Sequence, residues 1–225
     1  GAGVLADAPG LLAQRGFDGY ALLTTERAEP FGAGLTADAA AVVHVPGGSV
    51  PEAAAAVRGA VDRRPVVTFG GGRVVDVGKA IAGTFGLPCA AVPTTLAGSP
   101  MTPFHRMPAG TAGGTLIRPS LVVWDPALHA TLPRAQLVAT ALNALAHAFE
   151  SLYTPLANPV GELAALRSAL LLARELPRSA PDREAVALGA LLGGYAVGMS
   201  GLAVHHALCQ TVVRGAELPH AETNA

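Results

Sequence analysis

Two short loops carry the residue types that hold phosphate. In Thr68-Phe69-Gly70-Gly71-Gly72-Arg73-Val74-Val75-Asp76-Val77-Gly78-Lys79 an apolar run ends at Phe69, three glycines follow, and a helical pattern begins. Successive glycines let the backbone approach a pyrophosphate without Cβ clashes, and the open N–H groups and dipole of a helix start attract its charge. The run is not the G-x-G-x-x-G dinucleotide fingerprint, and a tight strand-to-helix turn would also use such glycines. The next apolar run leads into Pro93-Thr94-Thr95-Leu96-Ala97-Gly98-Ser99, which offers the Thr94 and Thr95 hydroxyls and another glycine. Ligands of open α/β sheets bind at the carboxyl ends of strands, so the two loops together point to a phosphate-bearing cofactor.

Such loops need strands to end on and helices to begin. Residues 20–24, 41–44, 65–69, 89–92 and 121–124 are short apolar runs that read as strands. Between them, 4–15, 51–63 and 74–84 have apolar residues at helical spacing. This alternation predicts a mostly parallel, Rossmann-like sheet covered by helices. Beyond Asp125-Pro126 the pattern becomes all-helical, over 132–153, 159–175 and 181–213, punctuated by prolines. The expected division is an α/β dinucleotide-binding domain at 1–128 and a helical domain, partial or shortened, at 129–225.

Composition removes several classes of function. Of the 225 residues 51% are hydrophobic and 14% charged, and the formal net charge is −1, which suits a globular chain rather than a disordered or nucleic-acid-binding one. Cys89 and Cys209 lie in apolar stretches far apart and read as reduced core thiols, so the expected location is the cytoplasm. No signal peptide pattern opens the sequence. Residues 185–213 contain no Asp, Glu, Lys or Arg, long enough to span a bilayer. The glycines along this stretch and the histidines near its end favour a buried bundle helix, so no membrane partner is expected.

Taken in order along the chain, GGGxxxDxxKA at 70–80, PTTxAGS at 93–99, Met101-Thr102-Pro103, Asn143-Ala144-Leu145-Ala146-His147-Ala148-Phe149-Glu150, His205-His206-Ala207-Leu208-Cys209 and Leu218-Pro219-His220-Ala221-Glu222-Thr223 resemble the iron-containing alcohol dehydrogenase superfamily, and within it the maleylacetate reductase branch. The resemblance implies a dehydroquinate synthase-like architecture, with an N-terminal domain for NAD(H) or NADP(H) and a helical domain closing a cleft over the nicotinamide. It places the pyrophosphate at Gly70, Gly71 and Gly72, with Asp76 and Lys79 near the start of the following helix. Thr94, Thr95 and Gly98 line the rest of the dinucleotide site, and Thr24 and Thr25 meet the adenosine end.

In metal-dependent members of that superfamily an aspartate and three histidines hold iron or zinc. The corresponding positions are Asn143, His147, His206 and His220. Asn143 and His147 are i and i+4 and share a helix face. An amide is a poorer ligand than a carboxylate and does not offset a cation's charge. The maleylacetate reductase branch also has asparagine there and is regarded as metal-free. The four residues are therefore expected to act as catalytic cleft residues without a metal; a divalent iron or zinc, if present, would be held by the same set. His105 and His129 read as surface histidines.

Three positions depart from the family pattern. Arg73 follows the glycines where a small hydroxyl residue is usual, and could pair with the 2′-phosphate of NADP or fill the site. Pro100 stands in place of a glutamate. Gln210 replaces a histidine that relatives place near the nicotinamide, and glutamine is no acid or base at neutral pH. The sequence also stops soon after the Pro-His-Ala-Glu motif, where relatives add helices. A short form would leave the uncharged helix at 185–213 in need of a partner, so a homodimer or other oligomer is expected. The function expected first is an NAD(P)H-dependent reductase of a small anionic unsaturated keto acid or carbonyl. Two alternatives stand beside it: a non-redox lyase, cyclase or dehydratase of a specialised pathway, and a catalytically silent partner subunit.

Overall fold

The computed structural model describes residues 1–130 and 132–216, without the side chains of residues 210, 214 and 216. It divides into two compact units, one formed by Gly1–Thr94 with Pro103–Leu128, the other by Thr95–Thr102 with the chain from His129 onward.

Unit 1 is built on five strands: β1 (Ala21–Thr24), β2 (Ala41–His44), β3 (Val66–Gly70), β4 (Cys89–Pro93) and β5 (Leu121–Val122). All pairs are parallel and the order is β2-β1-β3-β4-β5, the mostly parallel, Rossmann-like sheet read from the sequence. The four residues of β1 and all five of β3 and β4 are buried, because the sheet is covered on both faces. Side chains alternate between those faces. Leu23 and Val66 join Val57, Val77 and Ile81 on one side, while Leu22, Val67 and Phe69 join Leu12 and Phe17 on the other. The last strand is shorter than expected, since pairing ends at Val122 and only the Val123 N–H still reaches the Ala91 carbonyl, at 2.9 Å.

The helices of unit 1 are α1 (Ala8–Gln14), α2 (Ala33–Asp38), α3 (Val50–Val61) and α4 (Gly72–Phe85). Ser49 and Glu52 form a reciprocal capping box at the start of α3, with Pro51 inside its first turn. Gly86, in the left-handed region at φ 67°, ends α4. Asp125 ties the first turn of the chain to the end of β5. It accepts the N–H groups of Gly3, Leu5 and Ala127 at 3.2, 3.0 and 2.9 Å. Burial pushes its carboxyl up, yet these three N–H donors outweigh that and hold it below the usual range.

Unit 2 is helical: α5 (Arg134–Ser151), α6 (Pro159–Glu175), α7 (Arg183–Ser200) and α8 (Val204–Ala216). Asn158 caps α6 and Asp182 caps α7 with their side-chain oxygens. Small residues set the packing distance. A Cβ on Gly193 would come within 2.5 Å of the Ala144 carbonyl, so α7 lies directly against the α5 backbone, and one on Gly189 would come within 2.8 Å of the Leu172 side chain of α6. The single helix expected over 181–213 is two. Gly201, at φ 81° and ψ 174°, stops α7, and α8 leaves at a 98° bend. Among the described residues no single helix is long and apolar enough to cross a membrane. His129, read as a surface residue, is fully buried, and its carbonyl and that of Leu132 accept from the Arg183 guanidinium at 2.9 and 3.3 Å.

Candidate functional site

Each unit contributes its own part of the chemistry. In unit 1 the central strand β3 ends at Gly70, and α4 begins two residues later. Its N-cap is Gly71, and no side chain among the described residues caps it. The first N–H groups of this helix are therefore open to an external acceptor, and the dipole of a 14-residue helix points its positive end there. A Cβ at Gly70 would lie 2.8 Å from Val74, so packing alone favours glycine here. The Thr94 N–H bonds the Gly70 carbonyl at 3.0 Å and brings the second loop beside the first. This glycine cradle fits a pyrophosphate.

The other residues assigned to the nucleotide site hold the cradle in shape. Thr24 is fully buried and its hydroxyl donates to the Phe69 carbonyl at 2.8 Å, bracing the end of β1 to the end of β3. Lys79 is also fully buried. It pairs with Asp76 at 2.9 Å and donates to the Phe104 carbonyl at 2.7 Å, fastening α4 to the segment after β4. Burial lowers the Lys79 pKa, with Asp76 acting against that. Arg73 donates to the Pro46 carbonyl in the loop after β2.

Thr95 and Gly98, read as nucleotide-site residues, belong to the segment that packs in unit 2. A Cβ on Gly98 would approach His147 Nε2 at 3.2 Å and the Gly194 Cα at 3.4 Å, so this glycine makes room for an imidazole. His147 and Asn143 stand one turn apart on α5 and are both buried. The Asn143 side-chain nitrogen lies 3.3 Å from His147 Nε2, and its Oδ1 has no hydrogen-bond partner among the described residues. The His206 ring, from α8, stacks on His147 with centroids 4.4 Å apart and planes 11° from parallel. Burial lowers the His206 pKa, with the hydrogen bond and charge of Glu150 working in the opposite direction. His220 lies outside the described residues, as does the side chain of residue 210.

Sequence reasoning did not select Glu150. It is on the Asn143–His147 face of α5, seven residues after Asn143, and is 1% exposed. Its Oε1 accepts the N–H groups of Ala203 and His206 at 2.7 and 3.0 Å, and its Oε2 meets His206 Nδ1 at 2.6 Å. The available signal was the spacing, since an acid three residues beyond a histidine shares its side of a helix.

His147, Glu150 and His206 form a buried group whose candidate ligand atoms lie within 4.8 Å of one another. Among the described residues this donor set offers a divalent metal no unengaged carboxylate. Both oxygens of Glu150, its only carboxylate, are engaged by N–H groups, and the head of Asn143 sits against His147 Nε2 whichever way the amide is turned. What remains is neutral and supplies no countercharge to a dication.

The chain thus combines an α/β unit with an open glycine helix start and a helical unit with buried histidines on two helices. Residues 137–225 match the family model of the Fe-containing alcohol dehydrogenase family, C-terminal. The chain is 33% identical over 239 residues to a maleylacetate reductase of Pseudomonas aeruginosa, covering 98% of this chain and 68% of the relative. It is 39% identical over 194 residues to the Sphingobium indicum maleylacetate reductase, covering 82% of this chain and 55% of that protein. The crystal structure of maleylacetate reductase from Agrobacterium tumefaciens superposes with a TM-score of 0.86 at 32% identity, over 100% of this chain and 69% of that one. The chain belongs to the iron-containing alcohol dehydrogenase superfamily, in its maleylacetate reductase-like branch. It spans little more than half the length of the Sphingobium relative.

Proposed function

We propose that this chain serves an NAD(P)H-dependent reductase of the maleylacetate reductase type, acting on a small anionic unsaturated keto acid. The observation that carries the reading is the presence, in one chain, of an open glycine start to α4 and a buried pair of stacked imidazoles beside Asn143. The likeness to maleylacetate reductases over both regions supports the substrate class.

When bound at the α4 start, NAD(P)H supplies the hydride; the chain's own residues do the rest. Backbone N–H groups at Gly71 and Gly72 hold the pyrophosphate, and Thr94 belongs to the same loop pair. His206 handles the proton that balances hydride addition, and His147, stacked on it, keeps its ring in place. Asn143 Oδ1 offers a buried acceptor to a hydroxyl or enol of the substrate. The proposed reaction needs no metal.

The exposed apolar rows support a homodimer or other oligomer, although the surface differs from the one expected. The helix read as uncovered, α7, is largely buried within unit 2. The exposed row is on α6, where Val160, Leu163, Leu166 and Leu170 are between 52% and 71% exposed. A cytoplasmic location is proposed with the reduced, buried Cys89 and Cys209 in support.

The test is NADH oxidation by the purified chain with maleylacetate and related unsaturated keto acids. Consumption of NADH that stops when the keto acid is omitted is the expected result. No consumption of either NADH or NADPH across that substrate class would contradict the reading.

A further inference from the structure

Ala203 precedes α8 and has no side-chain acceptor, so that helix start lacks the cap a serine or aspartate would give it. The acceptor comes from another helix. Glu150 Oε1 takes the Ala203 and His206 N–H groups, leaving Oε2 to meet the His206 ring. The two side chains are almost sealed from solvent, with Glu150 at 0% and His206 at 4% exposure. Two backbone N–H donors at the start of α8 hold one oxygen of Glu150, and its other oxygen faces the imidazole. A carboxylate oxygen accepts, so the 2.6 Å contact puts the ring proton on the nitrogen facing the acid.

We propose that Glu150 is a positioning residue that fixes His206 as the neutral tautomer protonated on Nδ1, leaving Nε2 as the nitrogen that exchanges a proton with substrate. The 2.6 Å contact sets the tautomer, and the His147 ring stacked at 4.4 Å prevents a ring flip that would reverse it. The same carboxylate thus starts α8 and decides which atom of α8 does chemistry, in the way a carboxylate orients the histidine of a hydrolase triad. The role in turnover rests on the reductase reading above; the tautomer assignment does not.

Glu150→Gln separates the two jobs. Its side-chain oxygen can still accept the Ala203 and His206 N–H groups, while its amide can only donate to Nδ1 and so forces the proton to Nε2. The experiment is a long-range proton–nitrogen NMR spectrum of histidine-labelled full chain at neutral pH, with His206→Asn assigning the signal. The wild type is expected to show Nδ1–H and E150Q to show Nε2–H, with unchanged far-ultraviolet circular dichroism. In E150Q kcat for NADH oxidation is expected to fall about 100-fold or more while the NADH dissociation constant stays the same. An Nε2–H tautomer in the wild type overturns the proposal even if E150Q does not fold. So does an E150Q spectrum identical to the wild type. An Nδ1–H wild type that oxidises NADH with no keto acid leaves the positioning assignment standing and removes only the reductase reading.

Discussion

At the start of α4 and at the start of α8 the chain faces the same problem, a set of helix N–H groups with no capping side chain of their own. The two units answer it in opposite ways. In unit 1 the cap position is Gly71 and no side chain among the described residues caps it, so on the proposed function the anion comes from a ligand. In unit 2 Glu150 reaches across from α5 and closes the helix start from inside. Openness at a helix start marks a binding site, and closure by a buried acid marks a side chain being aimed. On the proposed function, the nucleotide half of the chemistry depends on backbone shape and the proton half on side-chain identity.

If the comparison holds, changes in the two units should affect different measurements. The largest effect is expected from His206→Asn, with kcat for NADH oxidation down by about 100-fold or more and NADH binding intact in a fluorescence titration. Gly193→Ala places a methyl against the Ala144 carbonyl and should cost roughly 1–3 kcal/mol in urea unfolding, again without loss of NADH affinity. Gly70→Ala should cost a similar or smaller amount through its contact with Val74, but here NADH affinity should fall as well. A G193A protein with weakened NADH binding, or a G70A protein without it, would break the division of labour.

Asp125→Asn is expected to cost about 1–2 kcal/mol at neutral pH by weakening the three N–H bonds that hold the first turn of the chain. The folded carboxyl titrates below its unfolded value, so its contribution is complete above the ordinary aspartate range and is lost as pH falls through the folded pKa. Urea unfolding at neutral and acid pH should show wild type and D125N converging at the acid end. The smallest effect, about 1 kcal/mol, is expected from Ser49→Ala, which removes the capping box of α3 and touches neither site.

The parallel sheet was legible because each strand is a short apolar run and each is followed by glycine, proline or a helical pattern. Gly70–Gly72 was legible as the turn from strand to helix, since three glycines there end an apolar run and precede a helical pattern. The break at Gly201 was not, because the 185–213 stretch contains five glycines before the histidines, and only tertiary packing selects the one that stops α7. Glu150 was missed because a lone acid in a helix reads as a surface residue, and the groups that hold it lie 53 and 56 residues further along the chain. Thr24 and Lys79 were assigned to the nucleotide site by the family resemblance. Their bonds to the Phe69 and Phe104 carbonyls are long-range choices that no local spacing encodes.

The most direct test of the central claim is a titration of the purified chain with NADH and with NADPH, followed by nicotinamide fluorescence. Saturable binding of at least one of them, weakened by Gly70→Ala and unaffected by Glu150→Gln, is the predicted result. Absence of binding by either cofactor at millimolar concentration would contradict the claim, because the open start of α4 would then have no nucleotide to hold.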